Sequence, residues 1–209
     1  ALEYTDDITF PGILVGRILR SIHPHAKIKS IDTSKAANAP GVLVIYTGAD
    51  TEGQLQPTPC AWLLPDADLK VANYLCIAKD VVRYTGDIVA VAVADTHYQA
   101  YDALDLIEVD YEPLPTVIDP EKAAKPEAPQ LHEEIDGNQA FHWVVSGGDV
   151  DAAFKEAEAT GVIVKERIIQ QRLIPNAMET RAAVAQYNQA SGELTLWNTT
   201  QNPHIVRFL

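Results

Sequence analysis

Apolar and polar residues alternate over most of the chain, and the alternation breaks wherever Pro, Gly and Asn gather. The most apolar β run, Ile88-Val89-Ala90-Val91-Ala92-Val93-Ala94, predicts a central strand. Before it, Ile13-Leu14-Val15-Gly16-Arg17-Ile18-Leu19-Arg20 follows a Pro11-Gly12 turn and reads as a strand buried on both faces for most of its length. Lys27-Ile28-Lys29-Ser30-Ile31-Asp32 alternates cleanly, the signature of a strand. A short helix over residues 34–38 comes next, capped by Asp32 or Thr33 and stopped before Pro40-Gly41. Val42-Leu43-Val44-Ile45-Tyr46 is a further strand, and residues 71–78 and the surroundings of Val81-Val82-Arg83-Tyr84 read as short ones. Asp95-Thr96 starts a helix from His97 to about Asp105, with Tyr98, Tyr101, Ala103 and Leu104 for its core face. Residues 106–112 alternate apolar inward and acidic outward, a half-buried strand. Strands and short helices in this order predict an α+β fold.

Two stretches carry no period. Residues 51–70, rich in Pro, Gln and Asp and holding Trp62, read as a long surface loop. Residues 113–150 are spaced by Pro113, Pro115, Pro120, Pro126 and Pro129 and read as an extended linker, with residues 138–145 docking back as a short strand. Asp149 caps a helix over residues 150–159. A second domain then begins. Val162-Ile163-Val164 leads into a Pro-containing corner, Gln170-Gln171-Arg172-Leu173-Ile174-Pro175-Asn176-Ala177-Met178-Glu179-Thr180-Arg181, and Ala182-Ala183-Val184-Ala185-Gln186-Tyr187 leads out, so strand, bend and strand are expected. A hairpin turn at residues 188–192, the strand Glu193-Leu194-Thr195-Leu196-Trp197 and the polar run Asn198-Thr199-Thr200-Gln201-Asn202-Pro203-His204 follow. Asn202 and Pro203 fit the cap and first position of a new helix. That helix has no C-cap before the sequence stops on Phe208-Leu209, and the expectation is a fragment of a longer polypeptide.

Composition narrows the function classes. With 47% hydrophobic and 22% charged residues, the 209-residue chain can bury a core. A net charge of −13 argues against a nucleic-acid partner, because phosphate contacts need clustered Lys and Arg. No apolar run approaches the ~20 residues a bilayer span needs. Two cysteines, Cys60 and Cys76, make no disulfide framework and are too few for an iron–sulfur cluster, so they read as reduced thiols of a cytoplasmic protein.

Several residues invite chemistry and lack the company for it. His23 and His25 share one face of an extended segment, but zinc wants three or four ligands and no third stands at a recognisable spacing, so they read as hydrogen-bonding groups near a strand end. Glu108, Asp110 and Glu112 share one strand face and read as a solvated surface, since nothing nearby would shift a pKa. His132-Glu133-Glu134 lies in the linker and makes no ligand set, and Gly48 and Gly147-Gly148 lack the rest of a phosphate loop.

Residues 170–186 followed by residues 194–204 resemble the start of the molybdenum-cofactor-binding region in large subunits of the xanthine dehydrogenase, aldehyde oxidase and carbon monoxide dehydrogenase family. Tyr4-Thr5-Asp6-Asp7-Ile8, Arg20-Ser21-Ile22-His23-Pro24-His25-Ala26 and Glu108-Val109-Asp110-Tyr111-Glu112-Pro113-Leu114-Pro115 extend the likeness over nearly the whole chain. The resemblance implies an α/β-hammerhead domain over residues 1–115, an extended linker over 116–148, and the truncated beginning of the molybdopterin-binding domain over 149–209. It implies a molybdenum hydroxylase that oxidises an aldehyde, purine, N-heterocycle or carbon monoxide with water-derived oxygen. It further implies a molybdopterin, in the cytosine dinucleotide form, to carry the metal, and FAD-binding and iron–sulfur subunits to accept the electrons, in a dimer of heterotrimers. Gln201 matches the family glutamine that approaches the molybdenum oxo group, and its amide donates without adding charge. Glu179 and Arg181 match a recurrent motif and are expected to form a buried ion pair that fixes the corner. The glycine-rich loop and the general-base glutamate of the family are not in this sequence, so the expected function is that of a parent protein. A non-enzymatic assembly module of the same fold, docking onto partner subunits, is the alternative, and a carboxylate-based hydrolase built on the 108–112 face is a third.

Overall fold

The computed structural model describes residues 3–60, 62 and 67–208. They form two compact units, Gly12–Ser146 and Ala1–Pro11 with Gly147–Leu209. The first unit holds strands β1 (Val15–Arg20), β2 (Ala26–Asp32), β3 (Val42–Thr47), β4 (Val81–Val82), β5 (Ile88–Ala94) and β6 (Glu108–Pro113), with helices α1 (Ser34–Ala37), α2 (His97–Asp105) and α3 (Pro120–Ala123). One antiparallel sheet runs β1-β5-β3 and a second β4-β2-β6. The most apolar run is thus the middle strand of its sheet, as its sequence predicts.

Small residues set the packing. Ala90 and Ala92 of β5, Ala36 of α1 and Ala103 of α2 meet with Ile107, and Leu19, Val42, Ile45 and Leu104 close around them. Their short side chains let two helices lie close on the sheet. A second cluster joins Ala26, Ala78, Val82 and Val89, and Ile31 and Val109 pack against both clusters, so the cores are continuous. The caps follow sequence. Thr96 Oγ1 accepts from Gln99 N, and Asp32 Oδ1 accepts from Ser34 N at 2.9 Å. At the end of β3, Gly48 lies so near the backbone that a Cβ would stand 2.6 Å from the Ala78 carbonyl oxygen.

The first unit departs from the sequence expectations in five places. β1 alternates half-buried and exposed rather than lying buried on both faces, because it is an edge strand. Residues 71–78 form no strand, since their groups bond locally and to loops: Tyr74 N donates to Ala72 O and Asn73 N to Glu134 Oε1. On α2, Tyr98 and Tyr101 point outward at 84% and 53% exposure, while Ala100 and Ala103 are the buried pair. Residues 138–145 form no strand and dock through one backbone bond, Lys70 N to Ala140 O, and the Trp62–Phe141 ring contact. The Pro-rich stretch is not extended throughout, because Asp119 caps α3 and Asn138 folds the chain back by bonding Leu131 N, Ala123 O and Pro129 O.

The second unit holds a 3-10 turn (Thr5–Asp7), α4 (Val150–Thr160), β7 (Ala183–Asn188), β8 (Glu193–Asn198) and α5 (Pro203–Phe208). Asp149 caps α4, its Oδ1 accepting from Ala152 N at 2.9 Å. β7 and β8 pair antiparallel through the turn at residues 188–192, where Asn188 Oδ1 accepts from Ala190 N and Gly192 takes φ +71°. The strand expected at 162–164 is not formed; residues 161–182 join no ladder among the described residues, and Val162, Val164, Ile168, Leu173 and Ile174 stay exposed.

Candidate functional site

The hairpin β7–β8 positions Gln201. Its ladder closes at Ala183 opposite Asn198, and side chains then take over from the strands. Thr199 N donates to Ala182 O at 3.1 Å, and Ala182 N donates to Thr199 Oγ1 at 3.4 Å. The Thr199 hydroxyl proton is shared between Thr180 O at 3.1 Å and Glu179 Oε1 at 3.4 Å. Thr200 Oγ1 accepts from Asn202 N at 3.0 Å, and Asn202 O accepts from Val206 N to open α5. With its neighbours engaged, Gln201 stands exposed, and its amide bonds no other described residue. It is a neutral donor and acceptor held out on a braced connection.

Glu179 does not pair with Arg181, which is exposed; among the described residues no ion pair joins them. The half-buried Glu179 Oε1 instead accepts from Thr5 N and Thr5 Oγ1, each at 3.2 Å, and from Thr199 Oγ1. A carboxylate oxygen has lone pairs for several donors, and three hydroxyl and amide donors satisfy it as well as one guanidinium. Phe10 lies against Trp197 of β8, with ring centroids 5.2 Å apart. The amino-terminal segment therefore meets this part of the chain at two points, Glu179 in the corner before β7 and Trp197 in the hairpin. Sequence reading missed this because Thr5 and Glu179 stand 174 positions apart.

The other candidates resolve individually. The buried His25 donates from Nδ1 to Pro115 O at 2.7 Å as expected, whereas the His23 ring sits edge-on to Tyr111 at 5.0 Å instead of hydrogen-bonding among the described residues. Glu108 and Glu112 are exposed partners of Lys35 and Lys27. His132 and Glu134 come within 3.9 Å, and Glu134 accepts from Asn73 N, which holds its carboxyl below the usual range. Burial, then the nearby Arg83, pushes the His132 imidazole below its ordinary value. The rings of Trp62 and Phe141 meet at 5.1 Å beside an apolar cleft of about 540 Å³, which the sequence had shown only as an aromatic in a loop. No helix among the described residues is long and apolar enough to cross a membrane.

Comparison with known proteins places this geometry. Residues 1–115 match the family model described as aldehyde oxidase and xanthine dehydrogenase, a/b hammerhead domain, and residues 131–209 match the molybdopterin cofactor-binding domain. The chain is 40% identical over 219 aligned residues to the carbon monoxide dehydrogenase large chain of Afipia carboxidovorans, covering 98% of this chain and 26% of that protein. It is 36% identical to the nicotine 6-hydroxylase large subunit of Paenarthrobacter nicotinovorans, covering 98% of this chain and 24% of that one. The crystal structure of quinoline 2-oxidoreductase from Pseudomonas putida 86 superposes with a TM-score of 0.85 at 35% identity, over 98% of this chain and 25% of that chain. The chain spans about a quarter of the length of these relatives. It belongs to the aldehyde oxidase and xanthine dehydrogenase family, as an α/β-hammerhead domain followed by the beginning of the molybdopterin cofactor-binding domain.

Proposed function

We propose that this chain is the amino-terminal part of a molybdenum hydroxylase large subunit, which oxidises a small substrate with oxygen derived from water. The observation that carries the reading is Gln201: an exposed, neutral amide without a partner among the described residues, on a connection braced from both sides, within the stretch that matches the molybdopterin cofactor-binding domain. The residues present suit such a group. A pterin dithiolene carries the metal, so no protein thiolate is required, and an uncharged amide can donate to the cofactor without adding a competing base. When bound, the molybdenum centre supplies the redox chemistry. Gln201 would hold and orient it, with Thr199 and Thr200 bracing the connection on which Gln201 stands.

The same reading gives the cofactor as the cytosine dinucleotide form and passes electrons to FAD-binding and iron–sulfur subunits. The assembly is a dimer of heterotrimers in the cytoplasm. The family match and the relatives' names as a large chain and a large subunit support it over an assembly module without cofactor. Along the sequence the domains divide at about 115, where the first matched region ends, and at about 148, which lies inside the second matched region, residues 131–209. The test uses the full-length protein. We expect close to one molybdenum per chain and release of a cytidine nucleotide on acid hydrolysis. We expect Gln201→Ala to keep the metal while turnover falls about a hundredfold. Absence of molybdenum from the wild-type protein would overturn the reading.

A further inference from the structure

We propose that Glu179 is the positioning residue for Gln201, and that the amino-terminal Thr5 completes this support. The inference rests on the cofactor reading of Gln201 and goes beyond it to residues that touch no cofactor. Three donors converge on one oxygen: Thr5 N at 3.2 Å, Thr5 Oγ1 at 3.2 Å and Thr199 Oγ1 at 3.4 Å from Glu179 Oε1. Two of them come from a segment 174 positions away and one from the residue two before Gln201. Thr199 is the last residue before Gln201 tied to the hairpin, through Ala182 N and O and Thr180 O. Past it, among the described residues, Thr200 Oγ1 and the first turn of α5 alone brace the chain. Released from Glu179, the Thr199 hydroxyl keeps a carbonyl acceptor but loses its tie to the amino-terminal turn. Gln201 then gains freedom at the position where orientation matters, and misplacement by about 1 Å costs on the order of a hundredfold in rate.

All three bonds end on Oε1, so the carbonyl oxygen of glutamine can accept them as well. That gives a test by rescue. In the full-length holoenzyme, Glu179→Ala is expected to retain molybdenum, to shift the paramagnetic signal of the partly reduced metal, and to lower kcat at least about tenfold with KM little changed. Backbone amides at Thr199 and Asn202 should exchange hydrogen faster. Glu179→Gln should behave as wild type in all four readouts. Thr5→Val and Thr199→Val, which keep shape and remove hydroxyls, should shift the same signal in the same direction by less, and they decide the matter should Glu179→Ala fail to assemble. A Glu179→Ala holoenzyme, or the two valine variants in its place, with unchanged signal and unchanged exchange overturns the proposal. Gln201→Ala separates this from failure of the cofactor reading. If it alters the signal while the Glu179 and threonine variants do not, positioning alone is wrong; if it too leaves the signal unchanged, the cofactor reading falls.

Discussion

His132 sits where burial and a neighbouring cation act in the same direction. Its side chain is 14% exposed, its ring packs against Tyr74 at 5.5 Å, and its Nδ1 is buried without a hydrogen bond to any described residue. Arg83 and His25 oppose protonation, Glu134 and Asp87 favour it, and burial outweighs both. The folded value therefore lies below the ordinary 6.5, and on acidification the unfolded chain takes the proton first. The stability tied to this ring is fully present above about pH 6.5 and is lost as the pH falls through the folded value. Denaturation midpoints measured across this range should fall on the acid side, and His132→Phe, which keeps a ring against Tyr74, should flatten the fall. An equally steep fall in the variant would assign it to other groups. At the same scale Glu179 shows how residue type can be legible while its partner is not. Its motif marked the corner, but the choice between Arg181 and two threonines was made by chain segments far apart in sequence.

At the scale of elements, α2 separates what its composition offers from what its packing uses. Of the expected core face, Ala103 and Leu104 pack on the sheet while the two tyrosines do not, and Ala100 joins Ala103, because Ala90 and Ala92 on β5 leave room only for a close approach. Tyr101 turns outward instead, under the Arg17 guanidinium at 4.8 Å from its ring centre. Ala103→Leu is expected to cost about 1–3 kcal/mol of unfolding free energy by overpacking, and Tyr98→Ala on the same helix less than about 0.5 kcal/mol. Chemical denaturation of both variants checks the contrast; equal losses would contradict the orientation of the helix. The caps by Thr96, Asp119 and Asp149 and the turn at Asn188 required no such arbitration, because each acts within a few residues of itself.

Across the whole molecule the two units differ in how they treat apolar surface. Gly12–Ser146 buries two joined clusters, whereas α4 and the β7–β8 hairpin have no buried residues. Ile168, Ile169, Leu173, Ile174 and Met178 are each 75–88% exposed, five large apolar side chains left open within eleven residues of sequence. Expressed alone, the chain should bind a dye specific for apolar surface and self-associate, and Ile168→Ser with Leu173→Ser should reduce both. Unchanged dye binding in the double variant would place the sticky surface elsewhere.

The sequence by itself determined the strands β2, β3, β5 and β6, the helix α2, the hairpin and the α+β class, because alternation, capping and turn chemistry are properties of neighbouring residues. It also carried the family likeness and marked Gln201. Tertiary structure decided which face of α2 is buried, that β1 is an edge, that the Pro-rich stretch folds back on Asn138, and that residues 161–182 join no ladder. It also brought Thr5 to Glu179 and Phe10 to the hairpin that carries Gln201. These outcomes depend on which surfaces and donors distant segments offer each other, and no local period encodes that.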